Sequence, residues 1–235
     1  FVALTMLAHQ LQAESASRDV LLFDGRTVVG WGINPGLEFP GASGTVTEVV
    51  GAEGPCLRLD ADFTQGGRYC GIERGLTLPP TEALSFEVRA EQTTGIIVRL
   101  RDATDQEHVV GVQVIPGAWQ TVTLPLTKEI FVHHWQGADD GVFHFPVNRL
   151  LIALNRAEPT TASCLLRNIT VRTADPSQFW QLDVCTDMPG NILFTEEQPQ
   201  DIWLALRNCL SESATAEVRW TVTDHTGTVA AQGEK

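Results

Sequence analysis

A period of two constrains this chain more than any other feature. Leu57, Leu59, Ala61 and Phe63 alternate with Arg58, Asp60 and Asp62; Leu84, Phe86 and Val88 alternate with Ser85, Glu87 and Arg89. Ile96, Val98 and Leu100 alternate with Ile97, Arg99 and Arg101, and the period returns at Val110/Val112/Val114, Val122/Leu124/Leu126 and Leu150/Ile152/Leu154. Successive side chains of a β-strand point to opposite faces, so each segment presents one apolar and one polar face. Gly, Pro or Asp bounds every segment, as strands bounded by turns require. No window carries a useful helical stripe. The expectation is an all-β chain whose strands, about eight or more, form a two-sheet jelly roll with the apolar parity inside.

Charge narrows the partners. The 235 residues hold 29 Asp and Glu against 16 Lys and Arg, a formal net charge of −13. No basic run is present, which argues against nucleic acid and anionic membranes, since both need clustered cations. Phe1–Ala8 is a short apolar run before the polar HQLQAES, with Ala13-Glu14-Ser15 as a small-x-small site. Residues 1–17 therefore read as the remnant of a secretory signal, too short to span a bilayer. Export to the periplasm, cell surface or medium is the expectation.

Five cysteines leave at least one unpaired. Leu57–Phe63 and Tyr69–Ile72 read as a hairpin closing at Gln65-Gly66, which sets Cys56 opposite Gly75. A Cys56–Cys70 bridge is then out of register, and none is expected. Cys185 and Cys209 remain a candidate pair. A boundary falls near Thr173–Ser177, dividing a first sandwich (18–174) from a second strand-rich segment (175–235). That segment, with WQLDVCT, DIWLALRN and AEVRWTVTDHTGTVAAQG, reads as an incomplete immunoglobulin-like β-sandwich that breaks off in mid-pattern.

The order LLFDG…W, LRLDADFTQGGRYCGIERGLTLP, LSFEVRA, VRLRDATDQEHV, WQTVTLPL, HHWQGADDG, VNRLLIAL, LLRNITVR resembles the galactose-binding-like jelly-roll domains of bacterial secreted glycoside hydrolases. The resemblance covers about Val20 to Arg172 and rests on loose strand patterns. It implies a non-catalytic carbohydrate-binding module, set ahead of an immunoglobulin-like spacer and a catalytic barrel. Fold likeness alone does not establish ligand binding.

Candidate site residues lie on one loop and one sheet face. Trp135 offers a flat indole on which the C–H face of a sugar can stack, and His133, His134, Asp139 and Asp140 are close enough in sequence to take its hydroxyls. The competing reading, slightly favoured because Trp so often packs, makes Trp135 a cap on the core and the aspartates a turn before Gly141. Arg99 and Gln113 share the outward parity of adjacent strands and either line a groove or form an ordinary polar face, the second being favoured. Arg101 and Glu107 oppose each other across the same hairpin as a surface pair of small worth. Trp119 and Trp31 read as packing residues.

No cofactor is expected. His133 and His134, adjacent in a strand, point opposite ways and make poor zinc ligands. A structural calcium ion at Asp139-Asp140-Gly141 or Asp24 is left open. No catalytic motif is present. The expected function is the carbohydrate-binding or accessory region of an exported glycoside hydrolase, with a neutral polysaccharide or oligosaccharide and a downstream catalytic domain as partners. The alternative is a structural spacer that packs on a neighbouring domain, or serves an adhesive protein, without binding sugar.

Overall fold

The computed structural model describes residues 17–51, 53–92, 95–156, 160–175, 180–186, 202–208, 219–223 and 228–234. Every regular element among them is a β-strand. The signal-like residues 1–16 and Cys209 lie outside the described residues, so neither the signal nor a Cys185–Cys209 bond is placed.

Twelve strands build a sandwich of two antiparallel sheets. In chain order they are β1 (Arg18–Phe23), β2 (Trp31–Asn34), β3 (Ser43–Gly51), β4 (Gly54–Asp62), β5 (Tyr69–Leu78) and β6 (Ala83–Ala90). There follow β7 (Gly95–Arg101), β8 (Glu107–Gln113), β9 (Gln120–Pro125), β10 (His133–Trp135), β11 (Val147–Asn155) and β12 (Thr161–Thr173). One sheet runs β3-β4-β12-β6-β9, with β1 also paired to β12; the other runs β10-β8-β7-β11-β5-β2. The expected period of two decides the faces: along β6 and β7 the burial alternates residue by residue. Phe23, Phe63, Phe86, Phe131 and the inward leucines fill the space between the sheets. Each such side chain contributes about 1.5–3 kcal/mol of burial.

Two expectations need correction. The segments Leu57–Phe63 and Tyr69–Ile72 do not form a hairpin: β4 pairs with β3 and β12, whereas β5 pairs with β2 and β11. The Gln65-Gly66 turn carries the chain from one sheet to the other. Its reach suffices, because a handful of extended residues at about 3.3 Å each spans the ~10 Å between packed sheets. Cys56, Cys70 and Cys164 are free and buried, so the absent Cys56–Cys70 bond is right for a different reason. The second correction concerns Glu107, which is only 2% exposed and is no surface residue.

β11 departs from simple alternation. Its Leu150–Leu154 run is buried on both faces, because Leu151 and Ala153 pack under Tyr69 and beside Ile97 on the side away from the main core. That outer face is therefore partly roofed. C-terminal to the sandwich, β13 (Trp180–Thr186) pairs with β14 (Ile202–Asn208), and β15 (Arg219–Thr223) with β16 (Val229–Glu234), all antiparallel.

Candidate functional site

The outer face of the β10-β8-β7-β11-β5-β2 sheet holds a groove of about 600 Å³. Strand register sets its floor. One row across the strands reads Trp135, Glu107, Arg101, Arg149; the next reads His133, Val109, Arg99, Leu151, Glu73. The segment Pro35–Phe39, between β2 and β3, walls the far side with Leu37, Glu38 and Phe39.

Ion pairs fix the floor. Arg101 Nε donates to Glu107 Oε1 at 2.8 Å, and Arg149 binds the same oxygen from the other side. Arg149 also lies 3.7 Å from Glu73, which accepts from Asn34 Nδ2 at 2.7 Å. Long side chains held this way lose little further freedom when a ligand arrives, which favours binding.

A second chain of contacts presents Trp135. The Arg99 guanidinium sits 5.2 Å from the Trp135 ring and 5.1 Å from the Tyr69 ring. The Tyr69 hydroxyl donates to Glu38 Oε1 at 2.5 Å, and Arg99 reaches the same oxygen at 3.4 Å. Burial pushes the Tyr69 phenol up to about 12, with the Glu38 hydrogen bond adding to the rise. Burial works against the Glu38 carboxylate, but the Tyr69 hydroxyl, its own backbone and Arg99 together hold it below the usual range. Trp135 itself is 37% exposed. It is the indole that stands open on this face.

The loop after Trp135 is pinned from below. Asp102, fully buried, accepts from Thr104 N and Oγ1 (both 2.8 Å), Gln106 N (3.1 Å) and His144 N (3.1 Å), and pairs with His108 Nε2 at 3.1 Å. Gln106 ties the loop again, donating to Val142 O and accepting from Gly141 N. Phe143 stacks on His108 with centroids 3.8 Å apart. Gly137 lies at φ +55°, and a Cβ there would stand 2.4 Å from Gln106 N, so only glycine allows the loop so close to the β7–β8 turn. The polar residues Gln106 and His108 fall within β8 and its lead-in turn, a local break in the apolar parity and the one sequence signal for this anchor.

The predicted residues divide between these parts. Trp135 and Arg99 meet in the groove, and His133 is exposed on the same face. His134 and Asp139 pair with each other at 2.9 Å. Asp140 accepts from Val142 N and lies 3.1 Å from His144 Nε2. These three residues hold the loop and do not line the groove. Gln113 shares the face but sits opposite Gly95, four residues along from the Arg99 register, or about 13 Å away. Arg149, Glu73, Glu38, Tyr69 and Phe39 went unread, and Glu107 was read only as a surface partner of Arg101, because strand pairing and loop packing bring these residues together and no local spacing does.

Trp31 is buried edge-on to Phe23, as a packing residue. Trp119 lies half-buried beneath Arg167, whose guanidinium sits 4.2 Å from its ring centroid. For calcium, Asp24 accepts from Arg26 N and Asp139 and Asp140 are engaged as above; among the described residues no three His, Cys, Asp or Glu side chains cluster for a metal. A second hollow of about 610 Å³ lies against the other sheet. It is lined by Ser43, Thr45, Asp60, Asp62, Thr161 and Ser163 among others, with no aromatic ring. Its similar volume carries less weight than the chemistry of the Trp135 groove.

Among solved structures, the chain is similar to a family 11 carbohydrate-binding module of the cellulosomal cellulase Lic26A-Cel5E of Clostridium thermocellum. The TM-score is 0.54 at 17% identity, over 67% of this chain and 95% of that one. A family 11 module from the same organism, in complex with a β-1,3-1,4-mixed-linked tetrasaccharide, scores 0.51 at 16% identity, over 65% of this chain and 94% of that one. No family model matches the sequence, and no curated protein matches it. At these identities the likeness establishes the fold, a two-sheet β-sandwich of the jelly-roll kind.

Proposed function

We propose that the sandwich is a non-catalytic carbohydrate-binding domain, serving as the accessory region of an exported glycan-degrading enzyme. The observation that carries this reading is Trp135, an exposed indole buttressed by Arg99 at the rim of a groove floored with fixed charged groups. A sugar ring stacks its C–H face on such an indole while its hydroxyls meet the guanidinium and carboxylate groups beside it. The three groove carboxylates are each held by an arginine, a tyrosine or an asparagine. Glu38 is held low, whereas a glycosidase acid needs a raised pKa. The solved relatives of this fold, one of them in complex with a mixed-linked tetrasaccharide, support a saccharide ligand. Strand patterning after residue 175 supports an immunoglobulin-like spacer, and a catalytic domain beyond it completes the proposed parent.

Affinity electrophoresis tests the reading. The protein is run through gels holding mixed-linkage β-glucan, xyloglucan, β-galactan, agarose or mannan. Retardation in at least one gel, unchanged by 0.5 M salt, is expected, since neutral sugars release no counterions; free migration in all of them contradicts the reading.

Three strand glycines on the groove face supply a second test. Gly32, Gly75 and Gly111 are exposed, and a Cβ at any of them meets nothing within 4 Å. Glycine inside a strand weakens it, and bare floor is where another molecule comes close. Gly75 pairs with Arg149. Gly75→Val should leave the thermal midpoint equal or higher, since β-propensity differences reach only ~1 kcal/mol, while retardation falls. A midpoint that drops with retardation intact assigns Gly75 to the fold.

A further inference from the structure

Among the described residues, six buried side-chain polar atoms make no hydrogen bond, and two of them lie in this groove: Arg99 Nε and Glu107 Oε2. One is a donor and the other an acceptor. The bare oxygen of Glu107 is the notable half, because Arg101 and Arg149 both converge on Oε1. A buried polar atom without a partner costs about 1–3 kcal/mol, so two complementary ones in one groove need a reason. Trp135 neighbours both residues: it is the direct cross-strand partner of Glu107, and the Arg99 guanidinium lies 5.2 Å from its ring centroid.

A hydroxyl group both donates and accepts, and adjacent hydroxyls of a sugar ring present both capacities side by side. We infer that Glu107 is a specificity-determining residue of the groove: its Oε2 accepts from one hydroxyl, and Arg99 Nε donates to the next, of the sugar residue stacked on Trp135. This rests on the glycan-binding reading above and narrows it to a ligand class. The two atoms lie just beneath the groove surface, so Trp135, partly exposed, is the side chain that shifts to admit the sugar. Oε2, unpartnered while Oε1 is taken by Arg101 and Arg149, accepts a hydrogen bond from a hydroxyl, a donor that an ionised ligand carboxylate or sulfate lacks. The groove therefore takes a glycan with free adjacent hydroxyls, and the chain's net charge of −13 disfavours a polyuronate.

The test compares wild type, Glu107→Gln and Glu107→Asp in the gels named above, with alginate added as the polyuronate, at a temperature well below each variant's thermal midpoint. Gln replaces the charged acceptor with an amide; Asp keeps the charge but withdraws it by one methylene. Retardation of the wild type by a neutral glycan and not by alginate is expected, with affinity reduced about tenfold or more in both variants, the usual loss for a hydrogen bond to a charged group. Should Glu107→Gln fail to fold, Glu107→Asp decides. Wild-type affinity in either folded variant overturns the assignment of Glu107. A wild type free in every gel overturns the glycan reading, and this inference with it.

Discussion

Trp135→Ala is expected to abolish retardation in every glycan gel while leaving the fold intact. The indole is 37% exposed on a three-residue edge strand, and the main core does not include it. Its removal therefore costs the sandwich little. For the ligand the loss is large: a central aromatic anchor is worth about 2 kcal/mol or more, roughly thirtyfold in Kd. The rest of the Glu38–Tyr69–Arg99 chain would stay in place but face nothing. Near-UV circular dichroism and the thermal midpoint report the fold, and titration with the retained glycan reports the site. Affinity within threefold of wild type removes Trp135 from the site.

Asp102→Ala should give the largest loss of stability. The carboxylate holds three backbone N–H groups, the Thr104 hydroxyl and His108, all in a fully buried position. Alanine leaves these donors without an acceptor, at a cost of about 3–5 kcal/mol, which for a domain this size lowers the midpoint by about 10 °C. Burial by itself raises the Asp102 carboxyl, but the His108, His144 and Thr104 hydrogen bonds outweigh it and bring it down to about 2. A depressed pKa stabilises the fold above the unfolded value near 3.8, and that stability is lost as pH falls from about 4 through 2. The contribution is about 2 kcal/mol. Urea melts at pH 6, 4, 3 and 2 should show it in wild type and not in Asp102→Asn; parallel profiles contradict this role. Because Asp102 also fastens the loop after Trp135, the variant should bind glycan more weakly even where it is folded.

The alternation from Leu57 to Leu154 was legible because a half-buried strand must alternate, and burial along β6 and β7 follows it residue by residue. Pairing was not legible in the same way. A period of two reports which face a side chain takes but not which strand lies beside it, so the Gln65-Gly66 turn passed for a hairpin. Arg99 and Trp135 were readable as candidates, but residue type and parity alone favoured an ordinary polar face for Arg99 and a core cap for Trp135. Glu107 was not: its parity is outward, and its burial comes from Trp135, Arg101 and Arg149 on three other strands. Leu37 and Phe39 lie in a Pro- and Gly-bounded stretch outside any periodic segment, and apolar residues placed there were the missed sign of a groove wall.

The most direct test of the groove is a nitrogen–proton NMR titration following the tryptophan indole signals. Trp135 is assigned by its loss in Trp135→Phe, and the titrant is the oligosaccharide of whichever glycan retards the protein. The Trp135 signal should move with saturating dependence while those of buried Trp31 and of Trp119, on the opposite sheet, stay in place. Movement of Trp119 with Trp135 unchanged would put the ligand on the other face and contradict the account.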